Sequence, residues 1–435
     1  MTIVIITIFF IFLSLQTNTP LKSNQAIDAN VAKHSQLLLQ RIKNSYKTNK
    51  MPSHLTINNN ELIALSAIVN RAHPDVLVVT QIHQQTLQNK LSWKLPFSFI
   101  DLYLNTQINI LSSKQGLKLG NIKIGNINLS GKYLLYFIKT IANLFQPELG
   151  TQTLQSIKSL VITKHSMKIS YQLPDGFQLN GLQRKGRLIA LRDELAFFGN
   201  VEKIRFYYQG LLRFINTASP PQELFPYLRK MISLAQQQVI TSDETNAKKE
   251  NQAALLALAI YFGSSKFELM VGDISRLSLK EQRQRKYLIN HVKVSGRNDL
   301  QQHFIYSMAL QLFSTVDVSY TVGELKELLD SNIGGSGFSF ADLMADRAGV
   351  RFAMLATQST ISAQSIQAKI TQNDLKNLNL ERGMFVLLPS ISELPEGLTQ
   401  VEFQKKYRDV NSLAYQKIVA LIDQRLKSLI IYQIN

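Results

Sequence analysis

The sequence predicts an α+β chain in three parts: an N-terminal signal or membrane anchor, a domain of antiparallel sheet plus helices, and then an all-α domain. Three observations lead there. Apolar and polar residues alternate at period two from about Asp75 to Tyr171, and apolar residues recur at helical spacing through most of the chain beyond Gln222. The chain also begins with an uncharged apolar run, Ile3 to Leu15. The expected parts are residues 1–30 for the leader and linker, 31–218 for the sheet domain and 219–435 for the helical domain.

A chain of 435 residues is long enough to bury more than one core. With 45% apolar and 18% charged residues it is a folded rather than a disordered composition. Forty-eight Lys and Arg against 30 Asp and Glu give +18 at neutral pH, an excess that attracts polyanions. Cysteine is absent, which excludes disulfides, thiolate nucleophiles and Cys-ligated metals.

The apolar run is 13 residues long. A membrane span needs about 20, and the core of a secretory signal is shorter. No Lys or Arg precedes the run and no small-x-small cleavage pattern follows it, so a removed signal and a retained transmembrane helix both stay open. Either makes this an exported, periplasmic chain of the cell envelope, tethered to the inner membrane or released. An anionic membrane surface or lipid is then the expected partner, and nucleic acid is not.

Past the polar linker, "VAKHSQLLLQRIKNSY" reads as an amphipathic helix. "INNNELIALSAIVNRAHPD" reads as a second, with Asn58 three residues before Glu61 in a variant of the capping box and Pro74 just beyond its end. Leu91, Trp93 and Leu95 then alternate with polar residues, as do Leu102, Leu104, Ile108 and Ile110, and further on Ile122 and Ile124. Gly120 and Gly125 fall where the phase shifts, which suggests bulges or bends in a curved sheet. A helix over "GKYLLYFIKTIANLF" interrupts the strands, and "SLVITKHSMKISYQL" resumes them. "NTASPPQ", from Asn216 to Gln222, is the expected domain boundary.

The stretch "LTINNNELIALSAI" with "YLNTQINILSSKQGLKLGNIKIGNINLSGKYL" resembles YpmS-type exported proteins and other tubular lipid-binding folds. That resemblance implies a groove between sheet and helix that accepts acyl chains, here lined by Leu102, Leu104, Ile108, Ile122 and Ile124. In the second half, "DLQQHFIYSMAL" followed by "GELKELLDSNIGGSGFSFADLMADRAG" resembles the YfiM-type lipoproteins and, more distantly, VanZ-like membrane proteins. The shared features are a His-Phe helix start, a Lys-Glu-Leu-x-Asp helix end, a Gly-Ser-Gly turn and an Asp-x-x-x-Asp-x-x-Gly helix. The likeness covers Asp299 to Gly349 and lacks the long membrane-spanning runs of those families.

These same residues carry the only chemistry the sequence concentrates. Asp299 and His303 stand four apart on one helix, where a carboxylate fixes an imidazole tautomer. Glu327 and Asp330 end the next helix, and Asp342 and Asp346 share a face of the one after it. A turn through Gly334, Gly335, Ser336 and Gly337, with Ser339 and Gly349 as further structural positions, would bring the carboxylates to the imidazole. Such a set suits a hard divalent ion or general acid–base catalysis by a hydrolase. The competing explanation is a structural clamp: Ser339 before Asp342 has the form of a capping box, Asp330 and Ser331 suit a helix C-terminus, and Arg347 and Arg351 are in reach of Asp346 or Glu327.

No His-x-x-x-His, Gly-x-Ser-x-Gly or phosphate-loop motif occurs, and "GGSGFS" lacks the phosphate-binding Lys. Arg283, Arg285, Lys286, Lys293 and Arg297 form a basic run just before the His303 helix, either a solvated face or a docking surface for anionic head groups. Three functions follow: non-catalytic binding of a lipid or lipid-linked polymer, an envelope hydrolase or metal-dependent enzyme using His303 with Glu327, Asp342 and Asp346, or a structural partner in an envelope complex.

Overall fold

The structure, a computed structural model, describes residues 13–22, 26–47, 53–96, 100–145, 148–172, 200–216, 220–241, 246–271, 274–371 and 384–433. The chain divides into two compact units, residues 1–181 and 182–435. All the strands lie in the first unit; among the described residues the second has helices and isolated bridges only. The chain is therefore α+β.

In the first unit, strands β1 (Leu15–Gln16), β3 (Val76–His83), β4 (Thr86–Lys94), β5 (Tyr103–Leu111), β6 (Lys118–Ile124) and β7 (Ile127–Ser130) form one antiparallel sheet in the order β3-β4-β5-β6-β7. β1 pairs with the end of β5. A second sheet has the order β2-β9-β8, from β2 (Ser53–Asn58), β8 (Ile157–Ile162) and β9 (Ser166–Tyr171). Helix α1 (Ala29–Lys47) and helix α2 (Asn59–Ala72) join both sheets in one core, where Leu38, Ile57, Leu62, Leu87, Leu160 and Met167 are buried together.

Local signals explain several of these boundaries. Asn58 caps α2 by accepting from the Glu61 N–H while the Glu61 side chain takes the Asn58 N–H, and buried Glu61 also pairs with Arg41. The pairing of β5 with β6 shifts between Ile108 and Ile110, opposite Gly120, so the phase change in the sequence is a bulge. Helix α3 (Gly131–Phe145) and the short α4 (Leu149–Ser156) follow β7.

Two expectations are corrected. Among the described residues no helix is long and apolar enough to cross a membrane, which overturns the transmembrane helix. The last residue of the apolar run, Leu15, pairs with Leu104, and the Leu13 carbonyl accepts from the Asn126 N–H at 3.0 Å. Its backbone groups find partners in a sheet, while residues 1–12 lie outside the described residues.

The units also divide before residue 219. Helix α5 (Val201–Ile215) belongs to the second unit, where Tyr207 and Tyr208 are buried and the Tyr207 hydroxyl donates to Glu250 at 2.6 Å. Phe214 packs edge-on to Tyr227 at 5.6 Å, in helix α6 (Leu224–Thr241). Asn216 to Gln222 therefore falls inside the second unit, between α5 and α6.

Further along come α7 (Ala247–Leu258), α8 (Leu279–His291), α9 (Asn298–Phe313), α10 (Val316–Asp330) and α11 (Phe340–Thr357). α11 is the central helix of this unit: every residue from Phe340 to Val350 is buried. It nevertheless carries Asp342, Asp346 and Arg347 in that buried stretch, an arrangement that costs stability unless each charge is partnered.

Candidate functional site

Three helices build the site. α9 and α11 approach closely at Gly349, where a Cβ would stand 2.2 Å from the Phe304 carbonyl oxygen. Gly349 is thus a contact inside a helix and not part of a turn. α10 is folded back toward α11 by the turn Gly334 to Gly337, in which Gly337 has φ +90° and its N–H donates to the Asp330 carbonyl at 2.8 Å. A Cβ on Gly337 would also strike the Gly397 backbone, at 2.3 Å. Ser339 then caps α11, accepting from the Asp342 N–H at 3.1 Å.

The cap lacks the reciprocal half of a capping box. The Ser339 N–H donates to Glu327 Oε2 at 3.0 Å, so Asp342 keeps its carboxylate for the site. His303 lies on α9, buried. Its Nδ1 is 3.1 Å from Asp346 Oδ1, which also accepts from the Ser307 hydroxyl at 2.6 Å. Its Nε2 faces Lys326 Nζ at 3.0 Å, Asp342 Oδ2 at 3.5 Å and Glu327 Oε1 at 3.9 Å. Lys326 in turn donates to Glu327 Oε1 at 3.1 Å and Asp330 Oδ2 at 2.7 Å. Glu327, Asp342 and Asp346 thus converge on the imidazole, and Asp330 reaches it through Lys326.

Asp299 does not join them. Its carboxylate takes the Arg297 guanidinium at 3.1 and 2.7 Å, and Asp346 orients the imidazole in its place. Arg347 and Arg351 pair elsewhere as well. Arg347 makes a two-pronged bond to Asp423 at 2.7 and 2.6 Å and lies 3.8 Å over the Tyr320 ring, and Arg351 donates to the Tyr432 carbonyl at 3.2 Å. Lys326 and Ser307 lie within the motif stretches but carry no site role in the sequence reading, and Glu396 does not enter it at all. Lys326 had a signal, four residues before Asp330 on one helix face. Glu396 had none, since it arrives from distant sequence to bind Arg297 at 2.7 Å and to accept from Ser339 Oγ at 3.3 Å.

The basic run does not form one surface either. Arg285 turns inward to the Tyr261 and Ile260 carbonyls, both at 2.8 Å, and Arg297 serves the acidic site, where it also reaches Asp342 at 3.5 Å. Lys293 is half-buried, and only Arg283 and Lys286 are exposed.

Burial shapes the electrostatics. It pushes the Glu327 carboxyl up to about 7, against the pull of Lys326 and His303. Burial pulls His303 down, but the Asp346 charge and hydrogen bond prevail and hold the imidazole at about 9. Asp342 is raised, chiefly by burial. Lys326 is lowered by burial, but Glu327 and Asp330 carry it up to about 12. The ammonium at Nε2 fits a neutral ring that accepts there and donates from Nδ1 to Asp346. The carboxylates favour the imidazolium, so a proton on Nε2 and Lys326 compete for the same space.

Among the described residues, ligand atoms of His303, Glu327 and Asp346 lie within 4.8 Å of one another, a grouping that can hold a metal ion. Asp346 Oδ1 is already engaged by His303 and Ser307, while Asp346 Oδ2 is buried with no hydrogen-bond partner. Lys326 Nζ stands at a natural cation position between His303 Nε2, Glu327 and Asp330, and its side chain is half exposed.

In the first unit, Ile122 is buried, while Leu102, Leu104, Ile108 and Ile124 are half-buried. The cleft there, about 380 Å³, is bordered by Pro20, Leu21 and Leu91 together with Gln16, Asn105 and Lys123, and none of the five residues expected to line an acyl groove borders it. Comparison with family models, with curated proteins and with solved structures finds no match to this chain.

Proposed function

We propose that the second unit is a hydrolytic enzyme that works by acid–base catalysis at His303 and Glu327, with Asp346 as the positioning residue. One observation carries this reading. Asp346 anchors His303 Nδ1 at 3.1 Å and leaves Nε2 turned toward Lys326, Asp342 and Glu327. A clamp that only held helices together would do as well or better with apolar side chains of similar volume. Neighbouring groups displaced in different degree, Glu327 to about 7 and His303 to about 9, are what an acid and base working near neutrality require.

Lys326, half exposed, is the group a substrate would displace from Nε2. A divalent cation at the same position would polarise a substrate oxygen or activate water. The acyl-binding reading has weaker support, because Leu102, Leu104, Ile108, Ile122 and Ile124, the expected groove lining, do not border the cleft of the first unit.

The test is turnover of chromogenic ester, phosphodiester and glycoside substrates with and without Mg²⁺, Mn²⁺ or Zn²⁺, comparing the wild type with His303→Asn and Glu327→Gln. Each variant is expected to lose about 100-fold or more in kcat. Equal turnover by wild type and both variants, or neither turnover nor divalent-ion binding by the wild type, overturns the proposal.

A further inference from the structure

The outer face of α3 differs from the rest of the first unit's surface. Tyr133, Tyr136, Phe137 and Leu144 are 72%, 71%, 61% and 76% exposed. At 100° per residue they fall in one stripe, which also contains exposed Thr140. The inner face of the helix is fixed in place. A Cβ on Gly131 would meet the Gly120 carbonyl at 2.4 Å, so the helix start is pressed against β6. Asn143 Oδ1 accepts from the Gly150 N–H at 2.8 Å, and a Cβ on Gly150 would meet the Lys139 carbonyl at 2.4 Å, so α4 lies close on another side. Contacts at both ends of the helix therefore hold it in place, with Ile138 and Ile141 exposed beside the stripe.

Its electrostatic setting points to one occupant. α3 contains no acidic residue, and Lys132 and Lys139 border the stripe on one side. From Leu102 to Gln172 the chain has eight lysines and a single acidic residue, Glu148. Seven of those lysines are exposed and Lys139 is half-buried. The first unit as a whole has 17 Lys and Arg against 6 Asp and Glu.

We infer that α3 lies in the plane of an anionic lipid surface, with Tyr133, Tyr136, Phe137 and Leu144 in the head-group region and the lysines of this unit against the lipid charge. Tyrosine suits that depth because its ring is apolar and its hydroxyl stays wet. An apolar stripe flanked by lysine is the pattern of a helix that rests on a bilayer. Fifteen residues make a helix of about 22 Å, too short to cross one. A second copy of the chain would bring two strongly basic units together, which their charge opposes.

The absence of cysteine allows a clean test on the full chain. Thr140→Cys, labelled with an environment-sensitive fluorophore, is mixed with phosphatidylcholine vesicles with or without phosphatidylglycerol. A blue shift is expected only with phosphatidylglycerol, and it should weaken as salt rises. In the same assay Tyr136→Ser, Phe137→Ser and Leu144→Ser combined should lower vesicle partitioning by about tenfold or more. Lys132→Glu with Lys139→Glu should lower it too, and circular dichroism confirms that each variant is folded. No blue shift with either vesicle overturns the inference, and so does an equal shift with both. A shift without vesicles that grows with protein concentration would mark the stripe as a self-association surface, and that result overturns it as well.

Discussion

Asp346 decides which imidazole nitrogen is available for chemistry. It takes Nδ1, so Nε2 is left to face Lys326, Asp342 and Glu327. Its charge is also what holds His303 at about 9 despite burial. In Asp346→Asn the ring keeps a hydrogen-bond acceptor and loses the anion, so the His303 pKa should fall from about 9 toward 6.5, which an NMR titration of the imidazole would read. A value still near 9 would mean that Asp342 and Glu327 set it. Glu327 allows a second prediction. Its carboxylate is buried and unfavourable there when charged, so Glu327→Gln should stabilise the protein by about 1 to 3 kcal/mol at pH 8 while abolishing turnover. Denaturant unfolding at that pH would show it, and a loss of stability would mean that the pair with Lys326 outweighs the burial cost. At this scale the sequence identified His303, Glu327, Asp342 and Asp346 as one set but assigned the orienting role to Asp299. Spacing along one helix puts Asp299 and His303 on a common face, yet it is blind to Arg297, which draws Asp299 away.

Elements bring those residues together, and the closeness of two helices sets the tolerance. α9 and α11 touch at Gly349, where a methyl group would overlap the Phe304 carbonyl. Gly349→Ala should therefore cost at least about 2 kcal/mol in thermal or denaturant unfolding, although alanine is the better helix former. Stability within about 0.5 kcal/mol of wild type would mean that the helices slide apart without penalty. The caps at Asn58 and Ser339 were legible because each is encoded within four residues, and the period-two strands because alternation is local. The role of Gly349 was hidden, because a glycine that permits helix contact looks the same in sequence as one that permits a positive φ. The attachment of α5 to the second unit was equally hidden. Tyr207 and Tyr208 declare a buried helix but not the core that buries it, and the Arg347–Asp423 pair joins residues 76 apart, where no periodicity operates.

For the whole molecule, the site's charges become a dependence of stability on pH. His303 has a folded pKa of about 9 against an ordinary 6.5, so its contribution is complete below about pH 6.5 and is lost as pH rises through 9. Glu327 is raised from 4.5 to about 7, which also means that the folded form binds the proton more tightly. Its contribution is present below about pH 4.5 and lost as pH rises through 7. The two act in the same direction, so the folded state holds more protons than the unfolded one across the interval from pH 6 to 9, and stability must fall there as pH increases. Calorimetry in that interval should show the second unit's transition moving down in temperature with rising pH. In Glu327→Gln the decline below pH 7 should disappear while the part near pH 9 persists, and in Asp346→Asn the part near pH 9 should shift toward neutrality. A transition that rises with pH in the wild type would require a charged, fully compensated cluster at neutrality, and the uncompensated burial on which the catalytic reading rests would then be absent.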